Sequence, residues 1–353
     1  MSHSAGAARQ VRDGCPATLA VMSIRAWLTI LIGATVVLVV LVLVLPLRSG
    51  GPPQAGTASA VTPSGAAPSR AGPSGAAPSG DEASHGPTST PAVLVGAGDI
   101  ADCRSPGDEA TAALLDTLEG TVFTLGDNVY DDGTLDEFQR CYDPGWGRQL
   151  ARTRPVPGNH EYRTKDAVGY FAYFGAAAHD PATGWYAYDA GAWRVYVLNS
   201  NCALIGGCDT GSPQQRWLRD DLAANPRTCV LAMWHHPLFS SGEHGNDAST
   251  ADLWQTLADA DAELVLDGHD HDYERFAPQT ATGVADDRGI VEIVVGTGGR
   301  SHYAFQTIRA NSVARDDTTF GVLRLSLAED GWTAEFVPVE GASFTDGGSG
   351  TCH

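Results

Sequence analysis

Lysine is almost missing from this chain: Lys165 is the only one in 353 residues. Arginine brings the basic total to just 22, against 42 Asp and Glu, for a formal net charge of −20. From residue 92 onward the imbalance is 17 basic against 39 acidic residues. A field of that sign repels the phosphate backbone, so no nucleic-acid polymer is expected as a partner. It suits metal cations, although solubility outside a cell would explain it equally well. Cys-x-x-Cys is missing too, so none of the seven cysteines has the spacing of a tight zinc or redox site.

Only one long apolar run occurs, the uncharged residues 26–47. At 1.5 Å per residue it would cross the ~30 Å hydrocarbon core of a bilayer. Arg9, Arg12 and Arg25 precede it and Arg48 alone follows closely. This predicts a signal anchor in the cell membrane, with residues 1–25 as a short cytoplasmic tail and the bulk of the chain outside. The alternative is a cleaved export signal and a secreted protein. Against it, the apolar core exceeds ~7–15 residues, and the nearest Ala-x-Ala, Ala58-Ser59-Ala60, lies well downstream. Residues 48–91 are rich in Pro, Gly, Ala and Ser and repeat seven residues from Pro63 and again from Pro73. With so few apolar side chains this stretch reads as a disordered linker. Residues 92–353 suit one large domain. Cys15 falls on the cytoplasmic side, and the other six cysteines read as disulfides. Cys202 and Cys208 bracket a Gly-rich loop; Cys103 with Cys141 and Cys229 with Cys352 complete one of the 15 possible connectivities.

Within the domain, short apolar runs end in polar residues. Ala92 to Gly98 runs into Asp99, a helix is expected over 108–118, and Thr121 to Leu125 runs into Asp127 and Tyr130. This strand–helix–strand order indicates an α/β fold, in which ligands bind at the carboxyl ends of strands. Arg154 to Gly158, stiffened by two prolines, leads to Asn159 and His160. A hairpin is expected over 185–189 and 193–198, and helices over 213–223 and 249–260. Thr228 to Trp234 ends at His235, and Glu263 to Asp267 ends at Gly268-His269-Asp270-His271. Further strands are expected over 290–295, 320–327 and 332–337. Five strand ends thus deliver carboxylate, phenol, amide oxygen and imidazole, a donor set for two borderline-to-hard cations rather than one structural zinc. Alone, Tyr130 could equally be a buried aromatic with a satisfied hydroxyl, and His244 an ordinary loop residue.

In order, the motifs are Gly98-Asp99-Ile100-Ala101, Gly126-Asp127-Asn128-Val129-Tyr130, Gly158-Asn159-His160-Glu161, Ala232-Met233-Trp234-His235 and Gly268-His269-Asp270-His271. Over roughly residues 93–300 this series resembles the calcineurin-like metallophosphoesterases, and among them the purple acid phosphatase branch. Ala101 and Ala232 depart from the branch pattern, neither at a ligand position. Most of the superfamily carries a metal-binding histidine at position 101, and Tyr130 is the replacement that the purple branch uses. The resemblance implies a four-layer αββα sandwich of two mixed sheets. It assigns Asp99, Tyr130 and His271 to a first metal ion, Asn159, His235 and His269 to a second, and Asp127 to both. A tyrosinate implies Fe(III) in the first position, with Fe, Zn or Mn in the second. It implies phosphate binding and leaving-group assistance by His160 and His244, in an extracytoplasmic phosphatase acting on small phosphomonoesters by attack of an activated water. Glu161, Asp267 and Asp270 are expected to orient ligand imidazoles from behind. His236 and His302 are expected near the ligands or the pocket rim, and Arg163 and Arg300 could clamp phosphate. A phosphodiesterase acting on nucleotides or lipid head groups, and a catalytically silent surface binding module, are the alternatives.

Overall fold

The structure, a computed structural model, describes residues 90–353. The expected tail, the apolar stretch 26–47 and nearly all of the linker lie outside the described residues. Among the described residues no helix is long and apolar enough to cross a membrane.

Two mixed sheets carry the fold. In the first, β1 (Ala92–Ala97), β2 (Thr121–Thr124) and β3 (Thr153–Arg154) run parallel. On the other side of β1 an antiparallel series continues the sheet: β11 (Gly321–Leu327), β12 (Gly331–Pro338) and β13 (Gly347–Thr351). The second sheet has a parallel centre of β5 (Trp193–Val197), β6 (Cys229–Met233), β7 (Leu264–Asp267) and β9 (Val291–Val295). Antiparallel β4 (Tyr186–Ala190) flanks it on one side, and β8 (Tyr273–Phe276) and β10 (Ser312–Asp316) on the other.

The side-chain period of two explains why the central strands are apolar throughout. Along β6, Cys229, Leu231 and Met233 enter the core shared with the first sheet, whereas Val230 and Ala232 enter a second core beneath helices. Leu264 and Leu266 of β7 go to the first core and Val265 to the second. Helix α1 (Gly107–Leu115) packs against β11 and buries Ala112 and Leu115. Two short helices, α2 (Leu135–Glu137) and the aromatic α3 (Val168–Phe174), contact each other beside that sheet's edge. Over the second sheet, α4 (Pro213–Ala224) contributes Leu218, and α5 (Ala251–Ala258) Leu253, Trp254 and Leu257. Helix α4 starts where expected, with Pro213 in its first turn and the Ser212 hydroxyl accepting from the Gln215 N–H.

All three expected disulfides are present: Cys103–Cys141, Cys202–Cys208 and Cys229–Cys352. The helix expected over 108–118 ends at Leu115, because the Thr117 N–H turns back to the Leu114 carbonyl. Strands β8, β10 and β13 were not expected. In β13, Gly-Gly-Ser-Gly-Thr carries no apolar pattern, and its pairing to β12 and the Trp332 ring against Gly350 order it.

Candidate metal centre

The parallel strands of both sheets deliver their carboxyl ends to one edge. There Asp99, Asp127 and His269 adopt φ values of 60, 46 and 71°, a left-handed backbone costly for any residue with a Cβ. Each follows a glycine. A Cβ on Gly126 would lie 2.5 Å from His235 Nδ1, and one on Gly268 2.7 Å from Asp99 Oδ2. Strain and close packing therefore coincide at the donor positions.

Seven side chains form two adjoining groups. In the first, the Tyr130 hydroxyl lies 2.8 Å from Asp99 Oδ1, 3.1 Å from His271 Nε2 and 3.2 Å from Asp127 Oδ2. In the second, His235 Nε2 lies 3.1 Å from Asn159 Oδ1, 3.2 Å from His269 Nδ1 and 3.3 Å from Asp127 Oδ2. One Asp127 oxygen thus faces both groups. His235 Nδ1 sits 2.7 Å from the Leu125 carbonyl, which can only accept, so Nδ1 carries a hydrogen. In the neutral ring Nε2 then presents a lone pair to two oxygens that are themselves acceptors. A cation among them satisfies all three, and these donors fit a pair of ions sharing Asp127.

The electrostatics agree. Burial works to raise the Asp127 carboxyl, but His235 and His160 outweigh it and hold it well below the usual carboxylate range. Burial lowers His235, yet the Asp127 charge, aided by Asp99, takes it up to about 9. The site favours positive charge at that point. Burial and the neighbouring His235 and His236 push His269 well below the ordinary histidine value. Burial, then Asp127 and Asp99, raise the Tyr130 phenol far above its usual value, so only a strong cation would hold it as phenolate.

The expected supports take another form. Glu161 holds backbone, not an imidazole: it accepts from Asn128 N at 2.8 Å, Val129 N at 3.3 Å and Gly158 N at 2.7 Å. Asp270 accepts from His244 N at 2.8 Å, Gly245 N at 3.2 Å and the Ser240 hydroxyl at 2.5 Å. Asp267 is buried and bonds to no imidazole. His160 donates its backbone N–H to Asp127 Oδ1 at 2.8 Å, with its ring 4.3 Å from that of Tyr130. The His244 ring stacks on His269 at 4.3 Å. His236 lies 4.5 Å from His269, ring to ring, and its Nδ1 is 2.7 Å from the Ser200 hydroxyl. His302 is turned against Phe320 instead, 4.1 Å between rings, with neither nitrogen bonded. Arg300 bonds Asp102 and Asp131 and lies over the Tyr130 ring at 4.9 Å. Arg163 donates to the Asp131 carbonyl at 3.1 Å. Tyr303, which sequence reasoning missed, stacks on His271 at 4.0 Å and meets the His244 ring at 5.4 Å. Only its nearness to Gly298-Gly299 could have pointed to it.

The family model for calcineurin-like phosphoesterases matches residues 87–273. An uncharacterized protein of Mycobacterium tuberculosis is 30% identical over 271 residues, 62% of this chain and 50% of that protein. Purple acid phosphatase 22 of Arabidopsis thaliana is 28% identical over 235 residues, 60% of this chain and 51% of that one. The chain therefore spans about half the length of these curated relatives. Among solved structures, a purple acid phosphatase from yellow lupin seeds superposes with a TM-score of 0.60 at 19% identity, covering 73% of this chain and 53% of that one. PhoD superposes with a TM-score of 0.50 at 11% identity, covering 75% and 70%. These two likenesses support the fold alone. By its matched family model and its motifs, this chain belongs to the calcineurin-like phosphoesterase family, with purple acid phosphatases among its relatives.

Proposed function

We propose that this protein is an extracytoplasmic phosphatase that hydrolyses small phosphomonoesters with two metal ions. Asp99, Tyr130 and His271 hold one ion, Asn159, His235 and His269 the other, and Asp127 both. The observation that carries this reading is the shared Asp127 oxygen, 3.2 Å from Tyr130 and 3.3 Å from His235 Nε2. Two such ions supply Lewis acidity and an activated water for in-line attack on phosphorus. Fe(III) suits the tyrosinate side, with Fe, Zn or Mn opposite.

The chain's own residues do the rest. The His160 ring lies against Tyr130 and the His244 ring against His269. A monoester's leaving oxygen needs a proton, and an imidazole at this mouth can hold one and release it there. Asp270 keeps the His244 backbone in place, and Glu161 does so for the segments that carry Asp127 and Asn159. Three disulfides support an oxidising compartment, and residues 26–47 would tether the domain to the membrane.

The test is hydrolysis of an aryl phosphate monoester and the matching diester by the metal-loaded full chain. The monoester should turn over faster, and Asp127→Asn or His269→Ala should abolish both activities. Retained activity in either variant overturns the assignment. Faster diester turnover replaces it with a phosphodiesterase, and no turnover of either leaves a binding module.

A further inference from the structure

His236 has no part in the two donor groups, yet it lies against them. Its ring is 4.8 Å from that of His235 and 4.5 Å from that of His269. One of its nitrogens is within 4.8 Å of donor nitrogens on both. Proximity alone would make it a further ligand to the second ion.

The Ser200 hydroxyl argues otherwise. It accepts the backbone N–H groups of His235 at 3.2 Å and of His236 at 3.0 Å. A hydroxyl has two lone pairs and one hydrogen, so both lone pairs are engaged. Its hydrogen must then go to His236 Nδ1, 2.7 Å away. Nδ1 is therefore an acceptor, and the neutral ring carries its one hydrogen on Nε2. An N–H cannot ligate a metal, but it can donate to an oxyanion. No described residue accepts from Nε2.

We infer that His236 is a substrate-binding residue: a neutral N–H donor to a phosphoryl oxygen, held in one tautomer by Ser200, and not a metal ligand. The inference rests on the phosphoesterase reading above and adds a donor that needs no positive charge to do its work. A hydrogen bond to a charged oxygen is worth enough to change affinity by about tenfold or more.

Inorganic phosphate is the probe, titrated by calorimetry into the metal-loaded full chain, so that binding is read without turnover. His236→Phe keeps the ring and removes the donor. It should weaken phosphate about tenfold while leaving two ions per chain, and His236→Asn, which keeps an N–H, should recover part of the loss. Unchanged phosphate affinity in both variants overturns the inference, and so does loss of one ion, which would make His236 a ligand. If the parent binds phosphate but hydrolyses no ester, the functional reading fails and the His236 comparison still stands. Histidine 15N spectra of the zinc-loaded chain supply a second readout. His236 should show the Nε2–H tautomer, and Ser200→Ala should release it; an Nδ1–H form in the parent contradicts the proposal.

Discussion

Gly158 precedes Asn159 and lies against Asp127, so one methyl group added there tests whether the two segments must sit this close. An alanine Cβ would lie 2.2 Å from both the backbone nitrogen and Oδ1 of Asp127, whereas ordinary contact begins at 3.4 Å. The segments must part by the difference, about 1.2 Å, because a backbone atom cannot swing aside as a flexible side chain can. Overpacking of this kind costs about 1–3 kcal/mol, or about 2–4 °C in Tm for each kcal/mol in a domain of this size. The functional effect should be larger than the loss of stability. An ångström of misplacement at a reacting centre costs on the order of 10²-fold, and here the displaced group is the carboxylate that the proposed centre assigns to both ions. Gly158→Ala should therefore lose metal and about two decades of aryl phosphate turnover while still melting cooperatively. Gly145→Ala is the control, since its Cβ meets nothing closer than 3.6 Å. Parental metal content and turnover in Gly158→Ala would refute the placement of Asp127 between the two groups.

Three further outcomes follow from the geometry. The iron-loaded protein should show a visible tyrosinate-to-iron absorption band that Tyr130→Phe abolishes; a colourless iron-loaded parent removes Tyr130 from the ligands. The Cys229–Cys352 bridge spans 123 residues and Cys202–Cys208 spans 6. By loop-closure entropy, Cys352→Ser should therefore cost about 5 kcal/mol against about 2 for Cys208→Ser, and equal shifts in thermal melts would contradict this. At Asp346, burial opposes ionisation, but hydrogen bonds from Arg275 and Tyr273 outweigh it and hold the carboxyl below its usual range. A folded value below the unfolded one adds stability that is full above the unfolded value and lost as pH falls through the folded one. The Tm gap between the parent and Asp346→Asn should thus be full at neutral pH and close below about pH 4. A gap independent of pH would count against the pairing.

What the residues disclosed in advance has a physical pattern. Strands buried on both faces are short continuous apolar runs, so β1, β2, β6, β7 and β9 were legible, and so were the polar residues at the ends of β1, β2, β6 and β7. Strands β8 and β10 mix charged with apolar side chains, and β13 is mostly glycine; their order depends on partners distant in sequence. The seven residues that meet at this edge were legible because each lies in the segment that follows a strand of the parallel series. Their supports were not. Glu161 and Asp270 stood out as acids beside the motifs, but the amides that they accept from belong largely to other segments, 25–33 residues away. In the sequence Arg300 reads only as a possible phosphate clamp, and only the fold brings Asp102 and Asp131 to it. Ser200 carries no local mark of function and Tyr303 only its nearness to Gly298-Gly299, since a serine after a strand and a tyrosine in a loop are commonplace.

Elemental analysis joined to anomalous diffraction at the metal edges tests the centre most directly. The account predicts two ions per chain, ~3.5–4 Å apart, one among Asp99, Tyr130 and His271, the other among Asn159, His235 and His269, with Asp127 touching both. A single ion, or a pair elsewhere with Asp127 unligated, would contradict it.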